Sequence, residues 1–216
     1  MTQNFRQLYA LGLVGLIACK SGYVDVINEF ISSVDGAESQ EQAYYFPDFN
    51  FHDVNPKSDS YSSSVSLNDL LIGAYNRDDE TNIIVNFWIY GCAPCMQEMP
   101  FLQNLHENSS AEVVSISATS YMVFDPKIEK DNYGYDLRPT KEVMAEVSFP
   151  VLGGKDEEEI TRFFYESMPF FSTIEINGQE YPRYYFPLTV IIDASGDVIK
   201  HIQGYDPAEY NDLLYN

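Results

Sequence analysis

Residues 83–100 read Ile83-Ile84-Val85-Asn86-Phe87-Trp88-Ile89-Tyr90-Gly91-Cys92-Ala93-Pro94-Cys95-Met96-Gln97-Glu98-Met99-Pro100. The first seven form an apolar run rich in β-branched and aromatic side chains. It is too short for an independent helix and is followed by a glycine, so a buried strand is expected. Gly91 permits a turn. Pro94 suits a first helical turn, where its missing N–H costs nothing, and residues 96–99 are good helix formers. A strand, a turn and a helix are therefore predicted, with Cys92 at the start of the helix.

That placement has chemical consequences. Unpaired N–H groups and the positive end of the helix dipole favour thiolate over thiol, so Cys92 is expected to have a lowered pKa and to act as a nucleophile. Cys95, three residues on, faces the same side and can close a disulfide with Cys92 or resolve a mixed disulfide formed by it. The competing reading is half of a zinc site. It needs a second pair of ligands, but the chain has three cysteines, Cys19, Cys92 and Cys95, and three separated histidines, His52, His106 and His201. Thiol–disulfide exchange without a metal or other cofactor is the reading the ligand count favours.

Asn86-Phe87-Trp88, then Cys92-Ala93-Pro94-Cys95, Glu98 and Pro100 resemble the TlpA/ResA branch of thioredoxin-fold thiol–disulfide oxidoreductases, whose pattern runs N-F-W-x-x-W-C-x-P-C-x-x-E-x-P. Gly91 stands where that pattern has a tryptophan, leaving Tyr90 as the aromatic candidate to cover the disulfide. The resemblance implies an α/β, thioredoxin-like fold: a central mixed sheet flanked by helices, with an N-terminal β-hairpin over residues 45–70. Residues 44–216 are expected to form this domain. The resemblance also implies a role for Glu98 in tuning thiol ionisation and proton transfer. Without it, a solvated helix charge is an equal reading.

Pro187 takes its expected role from the same source. Phe186-Pro187-Leu188-Thr189 precedes the apolar run 188–192, and the resemblance implies a cis-proline against the redox pair. An ordinary trans-proline at a strand start is the local alternative. With Trp88, Tyr90 and Pro94 as neighbours, Cys92, Cys95, Glu98 and Pro187 are the expected site.

Elsewhere the pattern is α/β. Residues 111–118 are a second apolar strand, whose strand–helix–strand order implies parallel pairing through a right-handed crossover. Residues 121–138 read as a Tyr- and Asp-bearing loop, 140–147 as a short helix and 149–152 as a short extended piece. Residues 157–168 read as a helix with an acidic start. Residues 169–185 form an aromatic-rich insertion with an Asn177-Gly178 hairpin signal. A hairpin of residues 188–192 with 198–203 and a closing helix over 207–215 complete a sheet of four or five strands plus the N-terminal hairpin.

Residues 1–18 carry Arg6 and then an apolar stretch short of the roughly 20 residues that span a bilayer. Leu16-Ile17-Ala18-Cys19 resembles a bacterial lipobox, which implies signal-peptide removal and lipidation of Cys19. A plain secretory signal is the alternative. Residues 19–43 then read as an acidic tether with a short amphipathic helix. Lipidation of Cys19 leaves only the redox pair, so no structural disulfide is expected.

The formal net charge is −21, and loss of residues 1–18, which hold Arg6 and no acid, makes it −22. That charge excludes nucleic acid as a natural partner and disfavours adsorption to anionic lipid, leaving a lipid chain as the membrane anchor. The expected partners are a disulfide-containing protein substrate and a membrane thiol electron donor, at the outer or periplasmic face of a membrane in the cell envelope. Two alternatives belong to other classes. One is a non-catalytic thioredoxin-fold lipoprotein that binds partners or handles metal, although Met96 and Met99 at helical spacing are more often core. The other is a thiol peroxidase, whose Thr-x-x-Cys setting the chain lacks.

Overall fold

The computed structural model describes residues 45–76, 81–131, 134–153, 157–167, 172–176, 179–183 and 185–210. The expected signal peptide, Cys19, the tether and the Asn177-Gly178 turn lie outside these residues.

Two compact units are formed. The smaller contributes an antiparallel hairpin, β6 (Ser172–Ile176) and β7 (Gln179–Arg183), flanking the expected Asn-Gly turn. The larger is built on a seven-stranded mixed sheet. Its strands are β1 (Asn50–Asp53), β2 (Ser64–Ser66), β3 (Ile83–Phe87), β4 (Glu112–Ile116), β5 (Val151–Gly153), β8 (Leu188–Ile192) and β9 (Val198–Gln203), in the order β2-β1-β5-β4-β3-β8-β9. Strands β3, β4 and β5 run parallel, and β8 pairs antiparallel with both β3 and β9. Helices α1 (Leu67–Tyr75), α2 (Ala93–Asn108), α3 (Ser120–Phe124), α4 (Arg138–Met144) and α5 (Glu157–Ser167) connect or flank them.

Every residue of β3 is buried, as the continuous apolar run requires for a central strand in a partly parallel sheet. With side chains alternating between faces, Ile84, Asn86 and Trp88 share one side, where Ile84 and Trp88 join the core with Met99, Leu102 and Leu105 of α2. Phe87 faces the other side, its ring 4.8 Å from that of Phe164 on α5 and 6.3 Å from that of Phe46. Phe163 extends this aromatic layer to Phe49 and Phe51 at 6.2 and 5.5 Å.

One expectation is refined and two are corrected. First, strands β3, β4, β5, β8 and β9 make the expected core of the sheet, and the expected N-terminal hairpin β1–β2 joins its edge to give seven strands. β1 pairs with β5 through His52↔Gly153 and Asp53↔Leu152. Buried side chains make that junction: Asp53 Oδ1 accepts the Val151 N–H at 3.1 Å, and Asn55 Nδ2 donates to the Val147 and Phe149 carbonyls at 3.1 and 2.9 Å. Secondly, the extended reading of residues 65–70 ends at Ser66. Ser66 caps α1, its Oγ accepting the Asp69 N–H at 3.1 Å while the Asp69 carboxylate accepts from the Ser66 backbone, a reciprocal capping box. Thirdly, the loop over 121–138 contains the short helix α3. The closing helix is present at 207–210, and its remainder lies outside the described residues. Among the described residues, no helix is long and apolar enough to cross a membrane.

Candidate active site

Strand β3 delivers the chain to the site. Past Phe87, Trp88 is buried and its indole Nε1 donates to Ser115 Oγ of β4 at 3.2 Å. The Tyr90 N–H donates to Thr119 Oγ1 at 3.2 Å. The Tyr90 hydroxyl donates to the buried Asp131 carboxylate, which fixes this aromatic to the 125–137 segment. Gly91 then turns the chain at φ +72°, and a Cβ there would meet nothing within 4 Å. Backbone conformation, rather than space, therefore asks for glycine.

Cys92 is the N-cap of α2, Pro94 lies in its first turn, and Cys92 Sγ accepts the Cys95 N–H at 3.3 Å. Cys92 and Cys95 form a disulfide with Cα atoms 5.3 Å apart. Neither cysteine has measurable exposure, both being 0 % accessible. The sulfur at position 92 is thus held by a backbone donor at a helix N-terminus, where developing negative charge is favoured.

Pro187 reaches this point because of strand register. Leu188 pairs with Phe87, so the preceding proline falls beside the end of β3, next to the turn that carries Cys92. The Phe186–Pro187 peptide bond is cis, the isomer the resemblance implies. The Phe186 carbonyl oxygen lies 3.7 Å from Cys92 Sγ, and the Pro187 carbonyl accepts the Gly204 N–H at 2.8 Å.

Glu98 lies one turn beyond Cys95, on the same helix face. It is fully buried, so the solvated-charge reading does not apply. Asn86 Nδ2 donates to Oε2 at 2.8 Å, Thr189 Oγ1 donates to Oε1 at 2.6 Å, and the Tyr210 hydroxyl donates to Oε1. Burial pushes the carboxyl up to about 7, against the three hydrogen bonds, which favour its charged form. Burial and the nearby carboxylate likewise push the Tyr210 hydroxyl well above its ordinary range. Thr189 and Tyr210 were missed in the sequence. Thr189 is one residue into the strand after Leu188, and no local signal marks either as a partner of Glu98.

The three histidines fall on different elements, His52 on β1, His106 on α2 and His201 on β9. Among the described residues, no group of three or more His, Cys, Asp or Glu side chains is placed to hold a metal ion.

Strand, N-capping cysteine, disulfide partner and cis-proline together define a thioredoxin-like protein with a disulfide-forming Cys-x-x-Cys pair. No family model matches the chain. It is 29% identical over 137 residues to thiol-disulfide oxidoreductase ResA of Oceanobacillus iheyensis, a match covering 62% of this chain and 59% of that protein. To thiol-disulfide oxidoreductase ResA of Bacillus subtilis it is 24% identical over 204 residues, covering 94% and 88%. Among solved structures, StoA from Bacillus subtilis is similar at 14% identity and a TM-score of 0.43, covering 79% of this chain and 97% of that one. In these comparisons the chain resembles the ResA thiol–disulfide oxidoreductases, and its fold is thioredoxin-like.

Proposed function

We propose that the chain is a thiol–disulfide oxidoreductase that reduces disulfides in exported proteins. The observation that carries this reading is the Cys92–Cys95 disulfide at the N-terminus of α2, with a buried acid one turn further on. In the reduced protein the Cys92 thiolate attacks one sulfur of a substrate disulfide. A mixed disulfide forms and the other substrate sulfur leaves as a thiolate. Cys95 gives its proton to the Glu98 carboxylate and attacks Cys92 Sγ, releasing the second substrate thiolate and closing the Cys92–Cys95 bond. The substrate gains two electrons and, with two protons, becomes a dithiol. A donor dithiol reverses the bond and restores the enzyme.

Glu98 suits the resolving step because its proton affinity lies near neutrality, where a general base can both take and release a proton. Pro187 borders Cys92 through the Phe186 carbonyl, and substrate backbone would lie along this edge. We further propose that Cys19 is lipidated after removal of residues 1–18, that residues 19–43 tether the domain 44–216, and that a membrane thiol donor supplies electrons on the outer or periplasmic face. The lipobox-like residues 16–19 support this location.

Equilibration of the Cys92–Cys95 couple in dithiothreitol or glutathione buffers, read by thiol trapping, tests the reading. A potential at or below about −270 mV is expected for a reductase. A value near about −120 mV would make the protein an oxidant instead. A pair that does not cycle would end the oxidoreductase reading.

A further inference from the structure

The hydrogens around Glu98 can be counted. Asn86 Nδ2 directs its two at Glu98 Oε2 and Thr189 Oγ1, at 2.8 and 2.9 Å. Thr189 gives its hydroxyl hydrogen to Glu98 Oε1 at 2.6 Å, and Tyr210 gives its own to the same oxygen. This arrangement satisfies a charged carboxylate, and a proton placed on Oε1 is accommodated only when one of the two hydroxyls stops donating to that oxygen; Asn86 Oδ1, in the same network, is buried without a hydrogen-bond partner. Buried polar groups without partners are costly, so a carboxyl that changes charge here needs a neighbour able to change role. The Tyr210 hydroxyl also lies 3.0 Å from Thr189 Oγ1. It therefore has two resting positions, and the phenol can donate to one oxygen while accepting from another.

We propose that Tyr210, on the C-terminal helical segment, is a positioning residue for the exchange reaction: its hydroxyl donates to Glu98 while the acid is charged and turns to Thr189, accepting from Glu98, when the acid is protonated. This inference rests on the proposed base role of Glu98. Tyr210 is held for the task by packing, being fully buried with its ring 6.3 Å from that of Phe101 and 6.0 Å from that of Tyr205. The groups facing Glu98 are Asn86 on β3, Thr189 on β8, and Tyr210 with Tyr205 at the C-terminal end. On the helix of Glu98 itself, Cys95 precedes it by three residues on the same face.

The test uses Tyr210→Phe, which keeps the ring and removes only the oxygen. The Glu98 carboxyl is followed by carbon-13 NMR titration of the oxidised protein, and exchange with a model disulfide is timed against pH in the reduced protein. Loss of one charge-assisted donor is expected to raise the Glu98 midpoint by about one pH unit and to move the acidic limb of the exchange profile with it. Thr189→Val is expected to raise the midpoint as well, and Thr189→Ser to restore it. A Tyr210→Phe protein with unmoved midpoint and unmoved profile, beside a Glu98→Gln protein whose profile does change, overturns the role of Tyr210 alone. A wild-type profile in Glu98→Gln removes the base role of Glu98 and the inference with it. A change confined to melting temperature would mark Tyr210 as packing only and likewise overturn it.

Discussion

The Thr189 hydroxyl donates to Glu98 Oε1 at 2.6 Å, joining the strand that follows the cis-proline to the helix that carries the redox pair. Thr189 is also the register partner of Asn86 on β3, and Asn86 donates to the other carboxylate oxygen. The acid therefore sits on a cross-strand pair rather than in solvent, and its charge is coupled to the sheet that positions both Cys92 and Pro187.

Burial of this acid, acting against those hydrogen bonds, gives stability a defined pH dependence. The Glu98 carboxyl is raised from 4.5 to about 7 on folding, so between these values the native state binds more protons than the unfolded chain. Stability from this group is then greatest below about pH 4.5 and falls as pH rises through 7. The full difference is about 3 kcal/mol. Glu98→Gln is expected to flatten this contribution, measured as the change in urea-unfolding free energy between pH 5 and pH 8 for oxidised variant and parent. Parallel curves would show that Glu98 does not titrate in this range.

Cys95→Ser is expected to accumulate the mixed disulfide on Cys92, detected by mass after incubation with an oxidised peptide, whereas Cys92→Ser should capture none. Trapping by the Cys92→Ser protein instead would exchange the assigned order of attack.

Reduction of Cys92–Cys95 opens a very short loop. In the chain-entropy account, the cost to stability is about 2 kcal/mol, to be measured by urea unfolding with and without reductant at constant pH.

Gly91→Ala should cost about 1–2 kcal/mol, because an L-residue at φ +72° is strained although a Cβ would touch nothing there. Thermal unfolding checks this, and a neutral result would mean that the turn relaxes.

Ser66→Ala removes the side-chain acceptor of the α1 capping box and is expected to lower stability by about 1 kcal/mol. Since α1 carries none of the proposed site, exchange with a model disulfide should keep its parental rate.

Local pattern carried much of this far. The run 83–89, the glycine and the proline specify strand, turn and helix within a few residues, so Cys92 at a helix start is readable without tertiary information. Glu98 was visible as a helical position, but its partners Thr189 and Tyr210 lie 91 and 112 residues away in sequence, and only strand register and the C-terminal segment bring them in. The capping signal Ser66-x-x-Asp69 was present, yet the neighbouring Val65 and Leu67 mimic strand alternation, which hid the start of α1. The hairpin's addition to the sheet depends on the buried Asp53 and Asn55 side chains, whose partners at Val147, Phe149 and Val151 no local pattern announces.

The enclosure of both sulfurs sets the tempo of the chemistry. A thiolate must approach along the S–S axis, and the resting protein offers it no surface. For the proposed exchange, burial implies that an attacking thiolate meets the bond in the minority of molecules in which the wall beside Cys92 has parted. The observed rate constant is the intrinsic one scaled by that minority's population. A partner able to stabilise the parted state would speed its own reaction, whereas a small reductant would wait for spontaneous breathing. At high reductant concentration the rate should level off at the frequency of opening, turning a sealed disulfide into a filter for the company it keeps.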